Sequence, residues 1–136
     1  MCLAAQTLQD TNLGALSRMR VLVTGAAGMV GRKLVSKLAA NPALFGAEVE
    51  SLTLADVIEP PVPASLQAIS TTRTVDLARQ EDAVSLIGGR PDLVFHLAAI
   101  VSGEAEVEFD KGYAINMDGT RHLFEAIRGE GAREPY

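Results

Sequence analysis

The sequence has no tryptophan and a single cysteine, Cys2. One thiol excludes a disulfide framework and a cysteine-rich zinc module, and it fits a reducing, cytoplasmic compartment. Nowhere do apolar residues run for the ~18–20 positions that a helix needs to cross a bilayer, which excludes a helical membrane span. No stretch is rich in Lys and Arg, and the net charge is −5. The electrostatic footprint of a nucleic-acid binder is therefore missing. Aromatic residues are scarce at 4%, which argues against a row of base-stacking rings. What remains is 48% apolar and 21% charged residues in 136 positions. That suits one domain with a buried core and excludes a disordered tail.

Residues 1–18 differ in character from the rest of the chain. They lack the basic start and apolar stretch of a secretory signal and carry too little Arg for a transit peptide. The expectation is a loosely ordered extension, with an added docking helix as the alternative. From residue 19 the pattern alternates between strand and helix. Arg20–Thr24 is a β-branched apolar run typical of a strand buried on both faces. In Met29–Ala40 the apolar Val30, Leu34, Val35 and Leu38 recur at helical spacing, and Asn41-Pro42 ends the helix. Val49–Ala55 reads as a second strand ending at Asp56, with Asn41–Glu48 as extra loop before it. Leu66–Thr71 reads as a third strand, Gln80–Ile87 as a short helix and Asp92–Leu97 as a fourth strand. A long helix is expected over 106–127, interrupted near Gly119. The fold class is α/β, a Rossmann-like doubly wound parallel sheet of which only the first half is present, with strand order 3-2-1-4. Gly129–Tyr136 reads as a loop that should feed a fifth strand, and the sequence ends before one. The fourth strand would then be an apolar sheet edge, which proteins normally cover or pair. The expectation is a domain over 19–136 cut off before its catalytic segment.

The strongest chemical signal is Thr24–Gly31, T-G-A-A-G-M-V-G. Gly25, Gly28 and Gly31 lie between a strand and a helix, as a dinucleotide-binding turn requires. Gly25 permits the sharp turn, Gly28 leaves room for a pyrophosphate, and Gly31 lets the helix pack close to the sheet. The helix N-terminus offers free N–H groups and a positive dipole end to the phosphates. Asp56 closes the second strand 25 residues after Gly31, against about 20 in the usual spacing. A carboxylate there accepts hydrogen bonds from the adenosine ribose and repels a 2′-phosphate, which favours NAD over NADP. Arg32 reads as a solvated helix charge.

These residues, together with Asp76-Leu77, His96-Leu97-Ala98-Ala99, Asn116, Gly119-Thr120 and Leu123-Glu125-Ala126, resemble the extended short-chain dehydrogenases, the NAD-dependent epimerase/dehydratase family. Within it, the stretch after the fourth strand, Val101–Glu106, is similar to enzymes that oxidise a four-carbon sugar acid such as D-erythronate. The resemblance covers about Met19 to Tyr136 and implies roles. Gly25, Gly28, Met29 and Val30 would line the pyrophosphate, and Asp56 would hold the ribose. Asp76 and Leu77 would flank the adenine, while Leu97, Ala98 and Ala99 would run toward the nicotinamide ribose. Ser102 would touch substrate. Gly31 and Asn116 would act structurally near the site. The family's Tyr-x-x-x-Lys pair is missing. The tyrosines are Tyr113 and Tyr136, Met117 stands four residues after Tyr113, and the lysines are Lys33, Lys37 and Lys111. No catalytic residue is therefore assigned, and this polypeptide alone is expected to be inactive.

Other residues read more plainly. His96 has no metal-ligand spacing around it and is expected to be a packed or hydrogen-bonded core histidine. His122 is expected at the surface or rim. Glu104, Glu106, Glu108 and Asp110 suit the dipole at the start of the long helix better than a cation site. No serine shows a nucleophile-elbow pattern. Three functions remain open. One is the NAD-binding portion of an oxidoreductase acting on a small sugar acid, with a homodimer implied for the longer protein. The second is a nucleotide-sugar epimerase or dehydratase that retains its NAD. The third is a non-catalytic NAD-binding or interaction module.

Overall fold

The structure is a computed structural model that describes residues 17–100 and 107–133. Strand β1 spans Arg18–Thr24. It starts earlier than the apolar run predicts because Arg18 and Met19 pair with Glu48 and Val49, and Met19 is fully buried. Helix α1 covers Met29–Ala40, as its spacing predicts, with Val35 and Leu38 buried. Val30 departs from that spacing and is exposed.

The stretch expected as loop over Asn41–Glu48 contains a hairpin. Strand β2, Ala43–Leu44, runs antiparallel to the start of β3, Ala47–Asp56. Its two central residues, Phe45 and Gly46, take φ of 51° and 83°. Two left-handed residues make a turn whose twist suits the flanking strands. The pairing of β1 with β3 slips once, from Met19–Val49 to Arg20–Ser51, so Glu50 is an extra residue. That bulge brings Val49 and Leu52, an odd number of residues apart, into the same core.

Strand β4 is Ser70–Thr74, later than the predicted Leu66–Thr71. Leu66 ends a 3-10 turn, Ala64–Leu66, and fills the core beneath the sheet. The strand itself is a Thr-rich segment beside β3, polar and half-exposed, so it carries no apolar run. Helix α2 spans Gln80–Ile87 and β5 spans Leu93–His96. The long helix predicted over 106–127 is divided. Helix α3, Phe109–Tyr113, passes through a π turn at Ala114–Asp118 into α4, Gly119–Arg133. Helix α4 thus continues through the segment read as loop from Gly129. There Arg90, beyond α2, lies 3.9 Å from Glu130.

The parallel strands run β4-β3-β1-β5, with β2 antiparallel beside β3. Counting only the four strands expected, this is the order 3-2-1-4. Alternate residues of β1 point to opposite faces. Met19, Val21 and Val23 join Val35 and Leu38 of α1, while Leu22 joins Ala83, Leu86 and Ile87 of α2 and Leu123 and Ala126 of α4. A sheet buried on both faces reads as a continuous apolar run, as Val21–Val23 of β1 does. Strand β5 pairs with β1 and is half-buried throughout. No helix among the described residues is long and apolar enough to cross a membrane.

One polar clamp sets the register of β1 and β5 at their N-terminal ends. The Arg20 N–H donates to Asp92 Oδ2 at 2.7 Å, and its guanidinium reaches Asp92 Oδ1 at 3.3 Å. Burial pushes the Asp92 carboxyl up, but these hydrogen bonds outweigh it and hold it below its ordinary 3.8. The unfolded chain therefore binds the proton first as pH falls, and the clamp stabilises the fold above that range and fades below it. Asp92→Asn is expected to cost about 1–2 kcal/mol near neutral pH. Urea denaturation at stepped pH should show the gap between the two proteins closing below about 3.8.

Candidate functional site: a cleft at the carboxyl ends of the strands

In a parallel sheet with helices on both faces, the carboxyl ends of the strands form the natural ligand crevice. Here a cleft of about 40 Å³ opens between the ends of β1, β3 and β4. Gly25, Asp56, Asp76, Leu77, Ala98 and Ile115 are among its lining residues.

The glycine turn is built by close approach. Gly25 has φ +71°, and a Cβ on it would lie 2.5 Å from Ala98 N and from Leu97 C. A side chain there is excluded by conformation and by space. A Cβ on Gly31 would lie 2.2 Å from Gly25 O and 2.7 Å from Ala26 Cα. Gly31 thus packs its helix against the turn itself, and not against the sheet as the spacing suggests. Gly28 differs from both. Its Cβ would meet only Gly25 O, at 3.2 Å, with open space elsewhere. Gly28 is also the N-cap of α1 and supplies no side-chain cap. The first helical bond runs from Arg32 N–H to Gly28 O at 2.9 Å. The N–H groups of Met29, Val30 and Gly31 therefore have no acceptor within the helix, an arrangement that attracts an anion. The Met29 and Val30 side chains are exposed at this end.

Asp56 reaches into the turn. Its Oδ2 accepts from Ala27 N–H at 2.8 Å and its Oδ1 from Val57 N–H at 2.7 Å. Each oxygen keeps a second lone pair for another donor. Asp76 accepts from Ala78 N–H at 3.0 Å, and its own N–H donates to Asp82 of α2 at 2.8 Å. Leu77 is a core residue that also lines the cleft. Its carbonyl lies 3.0 Å from His122 Nδ1, and His122 is half-buried, in keeping with the rim position that was one of its two expected places. Leu97 N–H donates to Thr24 O at 3.1 Å and prolongs the β1–β5 ladder, Ala98 enters the cleft, and Ala99 is exposed. Asn116 sits in the π turn, accepts from Ile100 N–H at 2.8 Å and donates to Ile100 O at 3.0 Å. It holds the backbone after β5 as a strand partner would. Ser102, Glu104 and Glu106 lie outside the described residues. Glu108 pairs with Lys111 at 3.0 Å. Among the described residues no group of three or more His, Cys, Asp or Glu side chains is placed to hold a metal.

Three groups at the site are not evident from the glycine spacing. Thr24 is the only buried polar residue of β1, and its Oγ1 lies 2.8 Å from His96 Nδ1. Thr120 Oγ1 lies 2.9 Å from His96 Nε2. Gly119 lets α4 approach closely, since a Cβ would lie 3.2 Å from Leu77 Cβ. A hydroxyl directly after the apolar run Val21–Val23 was the available signal.

The fold defines an α/β domain of the Rossmann kind, with its cleft at the carboxyl ends of the strands. Residues 21–135 match the NAD dependent epimerase/dehydratase family, and the chain belongs to that family. It is 36% identical over 121 residues to D-erythronate dehydrogenase of Cupriavidus necator, covering 83% of this chain and 36% of that protein. It is 34% identical over 110 residues to D-erythronate dehydrogenase of Haemophilus influenzae, covering 81% and 34% respectively. The chain thus spans about a third of the length of these curated relatives. The solved nucleoside-diphosphate-sugar epimerase from Agrobacterium tumefaciens superposes with TM-score 0.84 at 49% identity, over 89% of this chain and 36% of that one. A uronate dehydrogenase variant from the same organism, solved in complex with NAD, gives TM-score 0.65 at 31% identity, over 82% and 37%.

The unequal surroundings of Gly28 and Gly31 make them separable. Gly31→Ala must displace backbone and is expected to cost about 1–3 kcal/mol or more. Gly28→Ala should stay within about 1 kcal/mol of the parent, since its φ suits any residue, yet it should block an anion at the turn. Thermal melts paired with nucleotide titrations check both.

Proposed function

We propose that this chain forms the NAD-binding portion of an oxidoreductase that takes hydride from a small sugar acid, D-erythronate being the first candidate. The observation that carries it is the pairing of Asp56 with the glycine turn. A carboxylate with spare lone pairs stands beside an uncapped helix N-terminus, so one site offers acceptors to ribose hydroxyls and donors to a pyrophosphate. The same charge opposes a 2′-phosphate and supports NAD over NADP. Asp76 and Leu77 would flank the adenine; Leu97, Ala98 and Ala99 would pass the nicotinamide ribose. NAD, when bound, supplies the hydride acceptor. The 136 residues themselves contain no Tyr-x-x-x-Lys pair, so on this reading they bind and orient, and proton transfer belongs to residues outside them. The substrate class rests on the two D-erythronate dehydrogenases among the relatives.

A second reading has its own support. The epimerase from Agrobacterium tumefaciens is 49% identical to this chain, so a nucleotide-sugar epimerase that retains its NAD is the alternative. Incubating the intact protein with NAD and a panel of aldonic and uronic acids separates the two. Stoichiometric NADH release with D-erythronate or a close analogue is the expected result. Turnover of a UDP-sugar with tightly held cofactor and no free NADH would replace the dehydrogenase reading with the epimerase one. The isolated 1–136 chain should show no NADH above background.

A further inference from the structure

His96 closes β5, and no role given above uses it. Its ring is half-buried, with Nδ1 2.8 Å from Thr24 Oγ1 and Nε2 2.9 Å from Thr120 Oγ1. Chemistry fixes the direction of both bonds. Thr120 Oγ1 gives its one proton to the Asn116 carbonyl at 2.8 Å, so it must accept from His96 Nε2–H. In the neutral ring Nδ1 is then bare and accepts from Thr24 Oγ1–H. Thr24 Oγ1 in turn receives Ala98 N–H at 3.5 Å. A one-way chain of hydrogen bonds runs from the Ala98 amide through Thr24, His96 and Thr120 to the Asn116 carbonyl. It joins the residue before Gly25, the backbone after β5, the π turn and the first turn of α4.

We propose that His96 is a positioning residue of the dinucleotide site: as the neutral Nε2–H tautomer it pins Thr24 and Thr120 together, and a second proton on the ring releases Thr24 and loosens the glycine turn. The proposal rests on the NAD-binding reading. An imidazolium offers two donors and no acceptor. Thr24 Oγ1, already receiving the Ala98 amide, would have to turn its own proton away in a buried place where Gly25 has no slack. Among the described residues no charged group drives the ring either way; burial holds His96 below its ordinary 6.5. The titratable neighbours among the described residues are engaged elsewhere. Asp56 binds the Ala27 and Val57 amides, Asp76 the Ala78 amide, Asp118 lies 3.5 Å from Arg121, and His122 bonds the Leu77 carbonyl. The unfolded chain therefore takes up the proton first. This contribution to stability is complete above about 6.5 and is lost as pH falls through the lower folded value.

The test uses the intact protein and two readouts. A two-bond ¹H–¹⁵N spectrum near neutral pH should show His96 as the Nε2–H tautomer. Calorimetric NAD titrations stepped toward acid should show affinity falling about tenfold as the ring protonates, the size of one lost buried hydrogen bond. His96→Asn places a non-titrating oxygen where Nδ1 accepts from Thr24. It should keep neutral-pH affinity within about threefold, since one hydrogen bond is retained, and abolish the acid step. His96→Leu, which lacks both bonds, should lose affinity at every pH. An Nδ1–H tautomer, or an acid step unchanged in His96→Asn, overturns the proposal while leaving the cofactor reading intact. No NAD binding at any pH overturns the cofactor reading, and the tautomer spectrum still decides whether the hydrogen-bond chain exists.

Discussion

The structure depends on the contact between the glycine turn and the end of β5. Gly25 lies so close to the Leu97–Ala98 peptide that one added carbon would collide with it, and Gly31 lies as close to the Gly25 carbonyl. These contacts bring α1, β1 and β5 to one point. Because backbone meets backbone there, the polar groups of the turn cannot be covered by side chains and must find specific partners. Ala26 N–H goes to Ala55 O, Ala27 N–H to Asp56, and Gly28 N–H back to Gly25 O. Those that remain, in the first turn of α1, are free for a ligand. The same packing that builds the turn therefore builds the site.

Burial of the sheet on both faces explains why the chemistry gathers at one end. Strands β1 and β3 spend their side chains on two apolar cores, one under α1 and one under α2 and α4. Thr24, Asp56, Asp76 and His96 stand where the strands run out, at the one margin where polar groups meet both the glycine turn and the helices. The Arg20–Asp92 clamp at the opposite end of the sheet fixes the β1–β5 register without entering the cleft. Register and site are thus held from opposite ends of the same strand pair.

Local signals made the glycine turn, Asp56, both faces of β1, and the bounds of α1 and α2 legible in the sequence. Apolar spacing marks those helices, Asn41-Pro42 stops the first, and three glycines in a strand-to-helix context mark the turn. The strand order is legible too, because right-handed crossovers leave few choices. What escaped was decided by tertiary contact. Thr71, Thr72 and Thr74 form a strand because β3 offers an edge, while the apolar Leu66 nearby plugs the core from a turn. Phe45-Gly46 makes a hairpin without the Asn-Gly or Asp-Gly pair that would announce it. Gly129 and Gly131 look like helix breakers, yet α4 carries on past them with the Arg90–Glu130 contact across to the neighbouring turn. His96 reads as a packed or hydrogen-bonded core histidine, as it is, but its partners Thr24 and Thr120 emerge only from the fold.

On the proposed reading, this cleft binds an NAD-type dinucleotide through the glycine turn and Asp56. The most direct measurement is calorimetric titration of the intact protein with NAD and NADP in parallel, repeated for Asp56→Ala. One site per chain that prefers NAD, with the preference lost on removing the carboxylate, is the predicted result. Equal or stronger binding of NADP, or NAD binding indifferent to Asp56, would contradict it.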